Sequence, residues 1–274
     1  MIVLEQNAIE IDFKTWLFPG KEVGVKLPDT IRDVETWVTL WVPNSQDLIV
    51  YFNLLDALRE AGVNKDNISI RMPYVPYARQ DRVCHSGESN ALEVFTRMFR
   101  SMSYCRNVII DDPHSTKTIE TLSSNSYELI VNHQDQCARW LPKYDTMIAP
   151  DLGAHNKLLD HYQVRNKLSD AVYLTKTRTA NGVAYDNYER DSLVGTACVV
   201  DDLCDGGATF LALGRMLRDT QPQLDRLDLY VTHGLFSKGD KELHDVFDTV
   251  YCSNLYNNDA LRVKVLGKLM PETI

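Results

Sequence analysis

Short apolar runs and amphipathic stretches take turns along this chain, and each pattern points to one kind of element. Brief runs rich in β-branched and aromatic residues read as strands. On that basis Ile2–Leu4 and Ala8–Phe13 read as a strand pair. Thr36–Val42, Ile68–Met72, Val108–Ile110, Leu129–Val131, Met147–Ala149, Val172–Thr175, Ala197–Val200, Leu227–Val231 and Val250–Ser253 read as further strands. Between them, Leu48, Phe52, Leu55 and Leu58 recur at helical spacing. That spacing predicts a helix over about Asp47–Ala61, capped by Asn44 or Ser45 and ended by Gly62. Helices are also expected at about Ala91–Met102, Ala154–Tyr162, Ala208–Arg218 and Lys238–Val246. Strands alternating with helices predict an α/β fold with mainly parallel sheets flanked by helices.

One pattern occurs twice. Val108-Ile109-Ile110-Asp111-Asp112 and Val199-Val200-Asp201-Asp202 are both apolar strands that end in paired carboxylates. This echo predicts two similar α/β halves, residues 1–140 and 141–274. Open α/β sheets bind ligands beyond the carboxyl ends of their strands, so the segments after each strand are where chemistry is expected.

Composition narrows the options. With 44% apolar and 24% charged residues the chain has the make-up of an ordinary folded domain. A net charge of -9 and the lack of a dense Lys/Arg run argue against nucleic acid or an anionic membrane as partner. The six cysteines form no Cys-x-x-Cys pair, and several sit in apolar runs. They read as reduced core thiols of a cytoplasmic protein. Met1–Asp12 carries Glu5, Glu10 and Asp12 and does not read as a secretory signal. No apolar run approaches the ~20 residues of a membrane span. A phosphate ligand would therefore need local donors.

The strongest candidate for such donors is Asp201-Asp202-Leu203-Cys204-Asp205-Gly206-Gly207-Ala208-Thr209, a strand end leading into a helix. Adjacent Gly206 and Gly207 let the backbone turn tightly and approach a ligand. The helix start attracts phosphate through its free N–H groups and dipole, and Thr209 adds a hydroxyl. Carboxylates repel phosphate but accept hydrogen bonds from sugar hydroxyls. Acids for the sugar followed by glycines for the phosphate is the logic of a ribose-phosphate site. This segment resembles the ribose-phosphate loop of type I phosphoribosyltransferases and of ribose-phosphate pyrophosphokinases (PRPP synthetases).

A second segment separates those two groups. Tyr77-Ala78-Arg79-Gln80-Asp81-Arg82 is similar, without gaps, to the loop that holds ATP in the PRPP synthetases. Arginine offers planar donors for phosphate or base stacking, and Gln80 has an amide suited to a base edge. The resemblance implies that Arg79, Gln80, Asp81 and Arg82 bind ATP, and that His114, in Asp111-Asp112-Pro113-His114-Ser115, contacts both ATP and a metal. It makes Asp151, in Ala149-Pro150-Asp151-Leu152-Gly153-Ala154, the candidate Mg²⁺ ligand near the ribose. Lys176-Thr177-Arg178 resembles the opening of the family's mobile catalytic loop, so Lys176 and Arg178 are the expected catalytic cations. Phe18 and Glu22 match a segment that reaches a neighbouring subunit's adenine, and Thr232-His233-Gly234-Leu235-Phe236-Ser237 matches a late family segment.

What the resemblance implies is a pair of phosphoribosyltransferase-like domains, assembled as a homo-oligomer. The chain would move the β,γ-diphosphate of ATP to the 1-hydroxyl of ribose 5-phosphate, with Mg²⁺ as cofactor. The sugar would sit on Asp201, Asp202 and the loop Asp205, Gly206, Gly207, Ala208 and Thr209. The chain departs from the pattern at Gly20, where the family has Asp, and at Gly206, where it has Thr. Losing a hydroxyl donor to a charged group costs about 1.5–3 kcal/mol, and Gly206 also opens space. Two alternatives follow: the same chemistry on a larger 5-substituted ribose, chiefly ADP-ribose, or a non-catalytic nucleotide-binding regulator.

Overall fold

The computed structural model describes residues 1–41, 45–157, 170–173, 176–179, 182–185, 193–256 and 261–266. The chain divides into two compact units, Met1–Asn132 and His133–Ile274. Both are α/β units with mainly parallel sheets flanked by helices.

The first unit begins with β1 (Ile2–Gln6), β2 (Ile9–Glu10), β3 (Lys14–Leu17), β4 (Val23–Lys26) and β5 (Thr36–Leu40). After them come α1 (Ser45–Glu60), β6 (Ile68–Met72), α2 (Ala91–Met102), β7 (Asn107–Asp111), α3 (Thr116–Leu122) and β8 (Glu128–Asn132). Its six-stranded sheet runs β2-β1-β5-β6-β7-β8. From β5 to β8 every pairing is parallel, while β1 is antiparallel to both its neighbours. Alternation in β5 and β6 buries Val38, Leu40, Ile68, Ile70 and Met72, the period expected when one sheet face meets the core. Leu54, Leu55 and Leu58 of α1 and Phe95 and Phe99 of α2 join the same core. Asn90 caps α2 by accepting from Glu93 N at 3.2 Å.

The second unit holds α4 (Gln134–Cys137), β9 (Thr146–Ala149) and the helical residues 152–157, α5. There follow β10 (Asp170–Tyr173), β11 (Lys176–Thr179), β12 (Gly182–Tyr185), β13 (Gly195–Cys204), α6 (Ala208–Thr220), β14 (Leu224–Gly234), β15 (Val250–Leu255) and β16 (Lys264–Val265). Its sheet, β10-β9-β13-β14-β15-β16, is parallel throughout. Both faces are covered, as such sheets require. Val199, Leu229 and Val231 meet Phe210, Leu213 and Leu217 of α6 on one face, and Cys198, Val200 and Tyr230 meet Ala138 and Ala154 on the other. Among the described residues no helix is long and apolar enough to cross a membrane.

The structure departs from the sequence expectations in several places. The strand expected over Ala8–Phe13 shrinks to Ile9–Glu10, because Asn7 and Ala8 turn with φ of 50° and 61° and Ile11 N returns to Leu4 O. The helix expected over Lys238–Val246 is a run of turns with one 3₁₀ turn, Leu243–Asp245. Gly239, at φ 75°, breaks it, and Asp240 is held instead by Arg262 N and His244. The polar stretch after Lys176 carries strand β12, paired antiparallel with β11. Finally, β13 and β14 outrun their apolar cores, since their ladder continues from Asp201 opposite Val231 to Cys204 opposite Gly234. The hairpin β3–β4 and helix α3 were not anticipated. Val42, Asn44, Leu174–Thr175 and residues 158–162, which completed four of the expected elements, lie outside the described residues.

Candidate functional site

In the first unit five of the candidate ATP residues, Arg79, Gln80, Asp81, Arg82 and His114, follow the carboxyl ends of strands β6 and β7. Strand β6 ends at Met72, and the chain turns through Tyr77, which holds φ 63°. A non-glycine residue there stores about 1–3 kcal/mol of strain, which persists only where the surroundings fix it. The Tyr77 ring lies 6.1 Å from Phe95, its hydroxyl is 3.3 Å from Ser45 Oγ, and Gln80 N donates to Tyr77 O at 2.8 Å. The turn thus hangs on α1 and α2, with the Arg79 and Gln80 side chains exposed.

Asp81 links this turn to the end of β7. Its side chain is mostly buried and pairs with exposed Arg82 at 3.1 Å. Burial works to raise its carboxyl, but Ser115, Arg82 and His114 outweigh it and hold Asp81 below the usual carboxylate range. Asp81 therefore stays ionised and ties Arg82 to the segment that carries His114, whose side chain is exposed. Asp111 plays a different part. It is buried, accepts from Asn132 Nδ2 at 2.7 Å and lies 3.5 Å from Arg71, contacts that hold the fold. Phe18 and Glu22 sit at the tip of the β3–β4 hairpin, joined by Phe18 N to Glu22 O at 2.8 Å. Glu22 folds back over Gly20, whose missing side chain leaves it room.

In the second unit β13 delivers Asp201 and Asp202 just before its end. Loss of water around Asp201, together with neighbouring Asp202 and Asp151, pushes the Asp201 carboxyl well above the ordinary value. Asp202 is buried, with Lys157 of α5 at 3.9 Å. Asp151 follows β9 and caps α5, its Oδ1 accepting from Ala154 N at 3.1 Å. Three carboxylates are thus crowded at one strand end, an arrangement that favours ligands bringing hydroxyl donors or positive charge. Among the described residues no three His, Cys, Asp or Glu side chains converge on a metal position.

The loop after β13 is anchored from below. Leu235 N and Phe236 N both donate to Cys204 O, at 2.8 and 3.2 Å, and Ser237 Oγ donates to Asp205 Oδ1 at 2.6 Å. Cys204 is buried, and loss of water with the nearby Asp201 and Asp205 charges pushes its thiol up to about 12, so it packs and does not react. Gly207 precedes α6 in the left-handed region, at φ 77°, and no side chain caps the helix. The first-turn N–H groups of α6 have no intrahelical acceptor and lie at the positive end of the helix dipole. The room expected beside Gly206 is filled by the stem of Lys238, whose Cδ and Cε lie 3.4 Å from where a Cβ would stand.

Lys176 and Arg178 lie two residues apart on β11, opposite Tyr185 and Val183 of β12. Their side chains are outside the described set. Sequence reading missed Lys157 and Lys238. Nothing in the spacing links Lys157 to Asp202. Lys238 directly follows the Thr232–Ser237 segment, which was the available signal.

No protein-family model matches the chain. It is 26% identical to a ribose-phosphate pyrophosphokinase of Pyrococcus abyssi over 256 residues, covering 85% of this chain and 79% of that one. It is 24% identical to the ribose-phosphate pyrophosphokinase of Pyrococcus furiosus, covering 92% and 89%. The phosphoribosylpyrophosphate synthetase of Mycobacterium smegmatis shares its fold, with a TM-score of 0.73 at 18% identity over 93% of this chain and 86% of that one. The likeness seen in the short motifs thus extends over most of the chain, and it runs to ribose-phosphate pyrophosphokinases.

Proposed function

We propose that this chain transfers the β,γ-diphosphate of ATP to the anomeric hydroxyl of ribose 5-phosphate, giving 5-phosphoribosyl 1-diphosphate and AMP. The observation that carries this reading is the second unit's strand end. Crowded carboxylates there run directly into a glycine loop and an uncapped helix start. Sugar hydroxyls relieve the first and a phosphate satisfies the second. The Tyr77–Arg82 turn, tied to the His114 segment through Asp81, suits the other substrate, ATP. The names of the curated relatives support the same reaction class.

In this reaction the acceptor's 1-hydroxyl oxygen attacks the β-phosphorus in line. A new O–P bond forms, the bond to the α-phosphate oxygen breaks, and AMP leaves as the hydroxyl gives up its proton. Arg79 and Arg82 hold the nucleotide, and Asp81 keeps Arg82 in place. Asp201 and Asp202 orient the ribose by accepting from its hydroxyls. Lys176 and Arg178 neutralise charge that spreads over the transferred group, since phosphoryl transfer is catalysed mainly by positioning and electrostatics. Mg²⁺ fits an acidic strand end that lacks a full set of ligands, because that ion takes much of its shell from substrate phosphate and water. Asp151 in the second unit and His114 in the first are each proposed as a protein contact for Mg²⁺, which when bound would supply charge neutralisation on the phosphates. Phe18 and Glu22 are proposed to reach adenine across a subunit contact in a homo-oligomer.

A larger acceptor, chiefly ADP-ribose, is the second reading. It is favoured by Gly206, where only a movable lysine stem fills the place of a fixed side chain. AMP release from ATP and Mg²⁺, with ribose 5-phosphate and ADP-ribose offered separately, tests both. Turnover of ribose 5-phosphate alone supports the first, and turnover of ADP-ribose alone replaces it with the second. No AMP from either refutes both and leaves a different acceptor or a nucleotide-binding regulator.

A further inference from the structure

The segment after β14 brings a cation to the phosphate loop. Lys238 is exposed, and its Cγ, Cδ and Cε lie 3.6, 3.4 and 3.4 Å from the point where a side chain at 206 would begin. The stem thus lies along the loop at van der Waals distance from position 206. The ammonium is one bond further on. Among the described residues Lys238 has no carboxylate within ion-pair distance. The two residues before it are anchored on the loop, Ser237 Oγ donating to Asp205 Oδ1 at 2.6 Å and Phe236 N to Cys204 O at 3.2 Å. The loop also lies beside Asp201, Asp202 and Asp205, so a phosphate bound there meets local negative charge that needs balancing.

We propose that Lys238 binds the phosphate on C5 of the acceptor ribose and supplies the donor that Gly206 lacks, which makes it a specificity-determining residue for phosphorylated acceptors. The inference rests on the acceptor site proposed above. It assigns the residue after the Thr232–Ser237 segment to substrate, where the sequence suggested only a helix start. An ammonium is a strongly hydrated point charge on a flexible stem, so it follows a phosphate that a fixed hydroxyl would hold in one place.

Lys238→Met tests this, because it keeps the stem over Gly206 and removes the charge. Losing a charge-assisted hydrogen bond of this kind weakens binding by about 10- to 100-fold. The expected result is an acceptor KM raised at least about tenfold, with kcat and the KM for ATP within about twofold, and recovery of most of the loss in Lys238→Arg. An acceptor KM unchanged in Lys238→Met overturns the proposal, as does an equal rise in the KM for ATP. A second readout works without turnover: the rise in melting temperature on adding ribose 5-phosphate, with ribose as control. If the wild type releases no AMP yet shows a phosphate-dependent shift that Lys238→Met loses, the reaction reading fails and Lys238 stands. An equal shift in both proteins, or no phosphate-dependent shift in the wild type, refutes the role of Lys238.

Discussion

Replacing Gly214 with alanine sets two effects of similar size against each other, and the structure decides the sign. In an exposed helix this change would stabilise by about 1 kcal/mol, because glycine is the poorer helix former. Gly214 is instead buried in α6, and an added Cβ would stand 2.4 Å from Val246 Cγ1 and 2.9 Å from Phe247 Cζ. Carbon atoms prefer about 3.5–4.0 Å, so the neighbours would have to withdraw by roughly an ångström. They are poorly placed to do so. Arg218 Nε donates to Val246 O at 3.0 Å, Phe247 N to Leu243 O at 2.8 Å, and Asp248 N to Leu227 O at 2.9 Å. Overpacking a well-filled site costs about 1–3 kcal/mol, and this pinning points to the upper half of that range. The net expectation is a loss of about 1–2 kcal/mol, or roughly 2–8 °C in melting temperature at about 2–4 °C per kcal/mol. Ala212→Gly in the same helix calibrates the propensity contribution. Melting curves of both variants, with the acceptor KM measured alongside, are the assay. A Gly214→Ala protein as stable as the wild type or more so would refute the reasoning, since it would mean that the Val246–Phe247 segment yields freely.

Asp201→Asn removes one of the crowded carboxylates, so the ligand-free protein should melt higher while AMP release falls at least about 100-fold; a lower melting point would contradict the crowding. Burial works to raise the Asp248 carboxyl, but Leu227 N and Arg218 hold it below its ordinary value. Its stabilising contribution is therefore complete above the unfolded carboxylate pKa and lost as pH falls through the lower folded one. Melting curves from pH 6 down to about pH 2 should show an acid-side loss in the wild type that is smaller in Asp248→Asn. Cys84 is exposed, whereas the other five cysteines are buried and burial pushes Cys105, Cys204 and Cys252 up to about 12. Mass spectrometry after brief iodoacetamide treatment at neutral pH should find Cys84 modified first, and early labelling of Cys204 would contradict its packing role. Lys176→Ala should abolish AMP release while leaving nucleotide binding within about threefold; a variant that still turned over would remove Lys176 from catalysis.

The parallel sheets were legible because buried strands advertise themselves as runs of Val, Ile and Leu, as in Val108–Ile110 and Val199–Val200. Their ends were less so. Asp201 and Asp202 look like the close of a strand, yet the ladder continues to Cys204, since backbone pairing does not require an apolar side chain. The Lys238–Val246 helix failed for two reasons: Gly239 turns the chain at φ 75°, and Asp240 is claimed by Arg262 N from outside any local pattern. The candidate site divides in the same way. The acids and glycines of the loop announce themselves as a contiguous motif. The lysines that meet them, Lys157 and Lys238, come from separate segments, and only the fold brings them near.

That division shows where this loop's chemistry is set. Along one edge of the Gly206–Gly214 stretch, each position that lacks a side chain is matched by a residue from the segment after β14. Lys238 lies over Gly206, Leu243 lies 3.4 Å from where a Cβ on Gly207 would stand, and Val246 and Phe247 press on Gly214. The two segments therefore pack along each other, loosely at Gly206 and Gly207 and so tightly at Gly214 that an added side chain there needs a smaller residue opposite. Gly206→Thr alone would restore a hydroxyl but meet the lysine stem. Shortening Lys238 in the same protein would clear the place that the hydroxyl needs. A phosphate site of this build can exchange a fixed hydroxyl for a mobile cation through two coupled changes, without altering the sheet or the helix that support it. On this argument the loop and the 238–247 segment form one specificity element, and acceptor choice is read from both together.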